Sequence, residues 1–234
     1  MSILKNCVRA FSARARRRRA EYFCDTFEVT ATTKILDLGS GDGSNIAAIL
    51  QNTPVCKGNV FIADIDHTAL QRGNRNYGFV GVLLGESGSL PFPDGFFDIV
   101  YCSSVIEHVT TPKHDVWRIH SGSQFKQRAR IRQRAFADEI RRVARQYFVQ
   151  TPNALFPVES HSWLPLVGYL PRRALVPLLK CTNTVWIKRT NPDWCLLKRR
   201  EMRDFFPESR IVNERFLGLT KSFMAVLSDR AHSA

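Results

Sequence analysis

The stretch DLGSGDG, residues 37–43, decides how this chain folds, and it stands between two apolar runs. Residues 34–36 (KIL) are typical of a buried strand, and residues 44–50 (SNIAAIL) are typical of the first turns of a helix. The glycines therefore form a strand-to-helix loop, in which backbone N–H groups can approach a ligand closely because glycine has no Cβ. A dinucleotide-binding loop of the form G-x-G-x-x-G would need its third glycine at Ser44, so the spacing argues against that ligand.

Further motifs follow the loop in a fixed order. Residues 60–63 are a short apolar run that ends at Asp64, where a carboxylate at the tip of a second strand can accept both ribose hydroxyls. The later motifs are Gly85-Glu86-Ser87, the turn LPFPDG at 90–95, the strand FDIVYCS at 97–103 and VIEHV at 105–109. Over residues 30–153 this order resembles the class I S-adenosylmethionine-dependent methyltransferases, and among them the type 11-like methyltransferase domain.

The resemblance implies an α/β fold of the Rossmann-like, doubly wound kind, with a mostly parallel seven-stranded sheet in a single domain. Alternating apolar strands and helices along the chain favour the same fold. Residues 210–216 and 221–226 predict the antiparallel hairpin that closes the sheet in this family. We also expect a helix to start at 104–109 and a fifth strand at 147–150. The expected divisions are a basic N-terminal helix at 1–30 and the methyltransferase domain at 31–234, which includes a basic insertion at about 110–135 and an acceptor-side lid at about 154–200.

The resemblance also implies S-adenosyl-L-methionine as the cofactor and assigns residues to it by motif position. Asp37 and the loop glycines, with Ser103 after strand four, would hold the methionine end, and Asp64 would hold the ribose. Glu86 would accept from the adenine amino group beside the Ser87 backbone, although a solvated turn acid is the alternative there. The predicted cofactor set is Asp37, Gly39, Gly41, Gly43, Asp64, Glu86, Ser87 and Ser103.

Candidate acceptor residues follow from what methyl transfer needs, which is in-line positioning and, for a weak oxygen nucleophile, a base. His161 and His108 are the candidate catalytic bases, each beside a carboxylate, Glu159 and Glu107. His161 lies in a "TPN…FPxExH" segment that resembles a bacterial subgroup whose acceptors are generally unassigned. The alternative is structural: Glu107-His108 would open a helix, and Glu159 and His161 would lock a loop.

A metal ion is not expected. Some relatives bind a divalent metal through Glu-x-x-Glu-His at this point, but Ser104 stands here in place of the first carboxylate.

The net charge of +13 is concentrated in two segments. Residues 1–20 and residues 113–145 each carry a net charge of +7. Such density attracts polyanions, among them phosphorylated glycans, anionic lipid surfaces and nucleic acid, although a solvated basic surface is an equally open interpretation. Residues 162–180 mix aromatic, aliphatic and basic side chains, which predicts either an interfacial segment or a lid packed on the core.

Cysteine usage and hydropathy predict a cytoplasmic protein, and the basic segments together with residues 162–180 predict peripheral contact with an anionic membrane. The six cysteines contain no C-x-x-C pair, and no apolar stretch is long enough to span a bilayer. We therefore expect a methyltransferase that acts at oxygen on a small-molecule, glycan or lipid-linked acceptor. One alternative is an RNA methyltransferase that uses the basic helices, against which residues 102–105 lack the Asn/Asp-Pro-Pro-aromatic signature. The other is a non-catalytic cofactor-binding protein, against which the cofactor motifs are intact.

Overall fold

The computed structural model describes residues 2–39, 41–85, 88–186 and 188–232. Its helices are α1 (Ser2–Thr26), α2 (Ser44–Leu50), α3 (His67–Tyr77), α4 (Gly122–Val143), α5 (Arg172–Val185) and α6 (Arg199–Phe205). Its strands are β1 (Ile35–Leu38), β2 (Val60–Asp64), β3 (Val80–Leu83), β4 (Phe97–Ser103), β5 (Ala144–Pro152), β6 (Arg210–Phe216) and β7 (Leu219–Leu227).

The strands form one seven-stranded sheet in the order β3-β2-β1-β4-β5-β7-β6. β1 pairs in parallel with β2 on one side and with β4 on the other, and β3 extends the parallel part. β6 and β7 form the C-terminal antiparallel hairpin, so the predicted Rossmann-like, mostly parallel sheet is confirmed. The chain order reverses between β1 and β4, and ligands of such sheets bind at the carboxyl ends of the strands beside that reversal.

Burial explains why the central strands form where the sequence predicts them. All four residues of β1 are buried, and β4 is buried along most of its length, as parallel strands covered on both faces require. The covering helix α1 contributes Phe23, whose ring lies 5.6 Å from that of Tyr101 and 6.1 Å from that of Phe148, between centroids. This packing joins the C-terminal part of α1 to the core of the sheet.

The chain divides into two compact units. Unit 1 consists of residues 1–103, 139–149 and 226–234, and it contains β1 to β4 with the glycine loop. Unit 2 consists of residues 104–138 and 150–225, and it contains α5, α6 and β6.

Unit 2 has an apolar cluster of its own. Its buried members are Val167, Leu175, Leu179 and Trp194, against which Trp117, Leu164, Leu178 and Leu196 pack. Arg172 is buried at the start of α5, where its guanidinium donates to the carbonyls of Ile119 and Pro192 and lies 3.5 Å from the ring centre of Phe125. Part of the segment 162–180 thus packs into this apolar cluster, while Leu166, Tyr169 and Leu170 stay exposed.

The sequence predicted a helix at 104–109, and this is wrong. Residues 106–108 form a single 3₁₀ turn. Ser104 is the reason, because its backbone is left-handed at φ 60° and its N–H donates to the Gln150 carbonyl at 2.9 Å instead of entering a helix. The fifth strand also runs longer than predicted, from Ala144 to Pro152, because α4 leads into it without a loop.

Among the described residues, no helix combines the length and the apolar character that crossing a bilayer requires.

Candidate active site

The loop after β1 holds its three glycines in left-handed backbone. Gly39, Gly41 and Gly43 have φ of 81°, 71° and 69°, a region that side-chain-bearing residues seldom occupy. A Cβ on Gly43 would lie 2.7 Å from the Ile62 side chain, so that position is closed by packing. A Cβ on Gly41 would meet only the Ala69 methyl, at 3.8 Å, so the backbone there is open to a ligand, as a cofactor cradle requires.

Asp64 ties this loop to the end of β2. Its carboxylate accepts from the Gly41 N–H at 2.8 Å through one oxygen and from the Asp66 N–H at 2.9 Å through the other. An ionised carboxylate has about four acceptor sites. Asp64 therefore has capacity left for ribose hydroxyls while it fixes the position of the glycine loop.

Asp37 and Tyr101 are neighbours in the sheet, paired across β1 and β4. Asp37 is 1% exposed, and Ser103 ends β4 two residues after Tyr101. Asn45 donates to the Tyr101 hydroxyl at 2.9 Å, and burial raises the pKa of that phenol. The structure thus gathers the predicted Asp37, Ser103 and glycine loop in unit 1. It adds Asn45 and Tyr101, which the sequence analysis missed although Tyr101 lies inside the strand motif.

Two predicted cofactor residues, Glu86 and Ser87, lie outside the described residues. Their expected contact with the adenine remains a prediction.

A buried acid–imidazole cluster stands in unit 2 and is centred on His161. Its Nδ1 lies 2.6 Å from Glu159 Oε1, and its Nε2 lies 3.6 Å from Glu107 Oε1. Glu159 is 2% exposed, and its other oxygen accepts from the Ser162 N–H and hydroxyl at 2.6 and 2.7 Å. These bonds fix the Glu159 carboxylate, which in turn fixes the His161 ring.

The two carboxylates control the charge of His161. Burial works against a charged imidazole, but Glu107 and Glu159 outweigh it and raise the pKa of His161 to about 9. Burial likewise opposes the charge of Glu159, and the contacts with His161 keep the pKa of Glu159 below its ordinary value. His161 and Glu159 therefore form a charged pair in neutral solution.

Glu107 and His108 complete the cluster. Glu107 is fully buried, and its Oε2 accepts from the Thr151 hydroxyl at 2.9 Å. His108 Nδ1 lies 3.3 Å from Asp193 Oδ1, and the rings of His108 and His161 meet edge to face at 4.5 Å between centroids. Despite burial, the bond with His108 lowers the pKa of Asp193.

The predicted catalytic residues His108, Glu159 and His161 thus lie together. The sequence analysis missed Thr151 and Asp193, whose only signals are the TPN and NPDW runs around them.

The basic part of α4 proves to be partly structural. Arg130 is 18% exposed, and its guanidinium donates to Glu201 Oε1 at 2.8 Å and to the Leu196 carbonyl at 2.9 Å. Lys126 approaches the same Glu201 carboxylate at 3.4 Å. Arg128 and Arg132, in contrast, are exposed and can meet a partner.

Part of this chain is similar to known methyltransferases. Residues 36–121 match the family described as a methyltransferase domain. A ubiquinone/menaquinone biosynthesis C-methyltransferase from Stenotrophomonas maltophilia is 33% identical over 95 residues, which are 38% of this chain and 37% of that protein. The chain thus spans about a third of the length of the curated relatives it matches.

Solved structures show the same fold. Magnesium protoporphyrin IX methyltransferase from Synechocystis, with bound S-adenosylhomocysteine, aligns at a TM-score of 0.55 with 12% identity, over 96% of this chain and 87% of that one. An S-adenosylmethionine-dependent methyltransferase from Mesorhizobium loti aligns at 0.51 with 12% identity, over 91% and 96%. Both structures are 12% identical to this chain, so they show a shared fold. The match of residues 36–121 to a methyltransferase domain supports the predicted class I S-adenosylmethionine-dependent methyltransferase and its predicted cofactor, S-adenosylmethionine.

Proposed function

We propose that the protein transfers a methyl group from S-adenosylmethionine to the hydroxyl oxygen of a small-molecule, glycan or lipid-linked acceptor. The observation that carries this proposal is the buried pair of Glu159 and His161 beside Glu107. Buried groups with strongly shifted pKa values cluster at functional sites, because acids and bases that take part in catalysis need pKa values matched to their task.

The cluster supplies what an oxygen acceptor lacks. S-adenosylmethionine carries its methyl group on a sulfonium sulfur, and this sulfur leaves as a neutral thioether when the methyl group is transferred. A hydroxyl becomes a good nucleophile only as it loses its proton. The form of His161 that accepts this proton is the neutral one, which is the minor form at neutral pH because the pKa of His161 is about 9. Glu159 holds this form through Nδ1, the proton is taken at Nε2, and Glu159 and Glu107 stabilise the imidazolium that forms. The imidazolium then returns the proton to water.

A second candidate is methylation at carbon, which the curated relative from Stenotrophomonas maltophilia favours by its name. Removing the proton of a phenol creates a phenolate whose neighbouring ring carbon is also nucleophilic. The same cluster would serve both reactions, which differ in the atom that receives the methyl group.

The test is methyl transfer from deuterium-labelled S-adenosylmethionine to a panel of phenols, glycans and lipid-linked hydroxyl compounds, with products identified by mass spectrometry and NMR. His161→Ala should lower turnover about a hundredfold or more while S-adenosylhomocysteine binds as in the parent protein. The matched control is His114→Ala, which changes a histidine that is 71% exposed. Equal turnover in the His161 variant and the control would refute the role of the cluster.

We also propose that the acceptor is reached at an anionic membrane surface. Support comes from the exposed cations Arg128 and Arg132 of α4 and from the exposed apolar side chains Leu166, Tyr169 and Leu170. Exposed cations and exposed aromatic or aliphatic side chains are both features of interfacial segments.

A further inference from the structure

Three side chains in unit 2 converge as metal ligands do. Glu107, His108 and His161 each offer one ligand atom, and these atoms all lie within 4.8 Å of one another. Two imidazole nitrogens and one carboxylate oxygen form a donor set that suits Zn²⁺ and related divalent transition metals. We propose that Glu107, His108 and His161 bind a divalent transition-metal cation.

The groups behind these ligands match the surroundings of a metal site. His161 Nδ1 contacts Glu159 at 2.6 Å, and His108 Nδ1 contacts Asp193 at 3.3 Å. Histidines that bind metals nearly always donate their second ring N–H to a carboxylate or carbonyl, which fixes the tautomer and the ring orientation. With both Nδ1 atoms engaged in this way, Nε2 of each ring is the nitrogen left for a cation.

Glu107 gives an independent reason. Its side chain is fully buried, and its Oε2 accepts from Thr151. Among the described residues its Oε1 has no donor within hydrogen-bond distance, since His161 Nε2 lies 3.6 Å away. A buried carboxylate oxygen without a donor is costly. A cation between Oε1 and the two imidazoles would satisfy it, and would also offset the excess of carboxyl groups over imidazoles in the cluster.

The distances suit such a cation. In a tetrahedral site with bonds of about 2.0–2.1 Å, neighbouring ligand atoms lie about 3.3 Å apart. His161 Nε2 and Glu107 Oε1 are 3.6 Å apart, so a shift of a few tenths of an ångström brings them to that spacing. Three protein ligands leave a fourth position open, as catalytic zinc sites do.

This site shares Glu107 and His108 with the one the sequence argued against and differs from it in the third ligand. Ser104 stands where some relatives have a carboxylate, and its hydroxyl donates to Gln150 at 3.0 Å. The third ligand is instead His161, which comes from the segment after β5. No spacing in the sequence predicts that His161 comes close to Glu107 and His108.

A bound cation would polarise an acceptor hydroxyl at the open position and lower its pKa, so that the proton leaves to water. His161 Nε2 is then a ligand and not a proton acceptor. That use rests on the proposed function, whereas the binding of the cation does not.

The test is titration of the chelator-treated full chain with Zn²⁺ and with Co²⁺, by calorimetry and visible absorption. We expect one cation per chain and Co²⁺ bands of four-coordinate intensity. His161→Ala and Glu107→Gln should abolish binding. Asp193→Asn, which removes only a supporting carboxylate, should weaken binding about tenfold to a hundredfold. His114→Ala is the matched control and should bind as the parent does.

Circular dichroism and S-adenosylhomocysteine binding, measured on each variant, separate loss of the site from loss of the fold. If His161→Ala does not fold, the Asp193→Asn result decides. Absence of stoichiometric binding in the parent, or unchanged binding in Asp193→Asn, overturns the proposal. All of these experiments measure binding. A failure of the proposed methyl transfer would therefore not change their outcome, and the two proposals can fail independently.

Discussion

Two glycines of the same loop should respond differently to the same substitution. Gly41 and Gly43 share a left-handed backbone, so alanine at either position costs about 1–2 kcal/mol of folding free energy in conformational strain. At Gly43 the new Cβ would lie 2.7 Å from Ile62 and 3.2 Å from Phe79, which adds about 1–3 kcal/mol of overpacking. We therefore expect Gly43→Ala to be destabilised by about 2–5 kcal/mol in total.

At Gly41 the new methyl would meet only Ala69, at 3.8 Å, so strain is the whole cost to stability. That methyl would instead occupy the open space before the backbone, where the cofactor is expected. Urea unfolding measures the free energy of each variant, and calorimetry measures its affinity for S-adenosylhomocysteine. Gly41→Ala should be the more stable variant and should still bind the cofactor product poorly. Equal stability of the two variants would refute the packing argument, and parental affinity in Gly41→Ala would refute the cradle.

Three further predictions concern charged groups. Glu139 accepts from the Leu90 N–H at 2.7 Å, and its bond with Arg142 is the largest cause that lowers its pKa. Glu139→Gln should therefore lower the free energy of unfolding in urea by about 1 kcal/mol at neutral pH. This loss should fade as the pH falls through the pKa of Glu139 in the folded protein, and a pH-independent loss would contradict the prediction. Glu201→Gln should cost about 1–3 kcal/mol in the same assay, because the nearly buried Arg130 loses its carboxylate, and an unchanged free energy would refute a structural role for the pair. Changing both Arg128 and Arg132 to Gln should weaken binding to anionic liposomes, measured by co-sedimentation at low salt, by about tenfold or more without changing stability. Tight binding of the parent protein to RNA would instead favour the nucleic-acid alternative, and binding to neither ligand would mean that this basic surface is only solvated.

The fold could be predicted because its signals are local. The glycine spacing fixes a strand-to-helix loop, and the apolar runs at residues 35–38 and 97–103 have the length and composition of buried parallel strands. Helix and strand ends were harder to predict. Ser104 ends the predicted helix only because it contacts Gln150, and that contact depends on how β5 lies beside it in the folded chain.

The acid–imidazole cluster could be predicted only in part. His108 and His161 stood out as histidines beside carboxylates, but their approach to each other depends on contacts between distant segments. The Cys195 N–H donates to the Glu107 carbonyl at 2.7 Å, and the Thr110 hydroxyl donates to the Asp193 carbonyl at 2.7 Å. These bonds bring Asp193 to His108, and no sequence spacing encodes them.

The basic helix shows a similar limit. Arg128, Arg130 and Arg132 are equivalent in a charge count, and helical spacing correctly predicted that they lie on α4. Only the structure separates the inward Arg130, bound to Glu201, from the two exposed neighbours. Charge density therefore predicted a basic surface but overstated how many of its cations are available to a partner.

One atom decides between the two roles given to His161. Its Nε2 cannot both accept a proton from the acceptor and bind a cation, while Nδ1 is held by Glu159 in either case. If Nε2 is a proton acceptor in the working enzyme, Zn²⁺ should inhibit the chelator-treated protein by occupying it. If Nε2 is a ligand, stoichiometric Zn²⁺ should raise turnover, because the open metal position then activates the hydroxyl.

Comparing turnover in the chelated and the zinc-loaded protein, at constant S-adenosylmethionine, separates these cases. If zinc leaves turnover unchanged in a protein that calorimetry shows to bind it, the cluster takes no part in methyl transfer. That result would leave the glycine loop as the functional part of the chain identified so far, and would move the search for the acceptor residues to other side chains of unit 2.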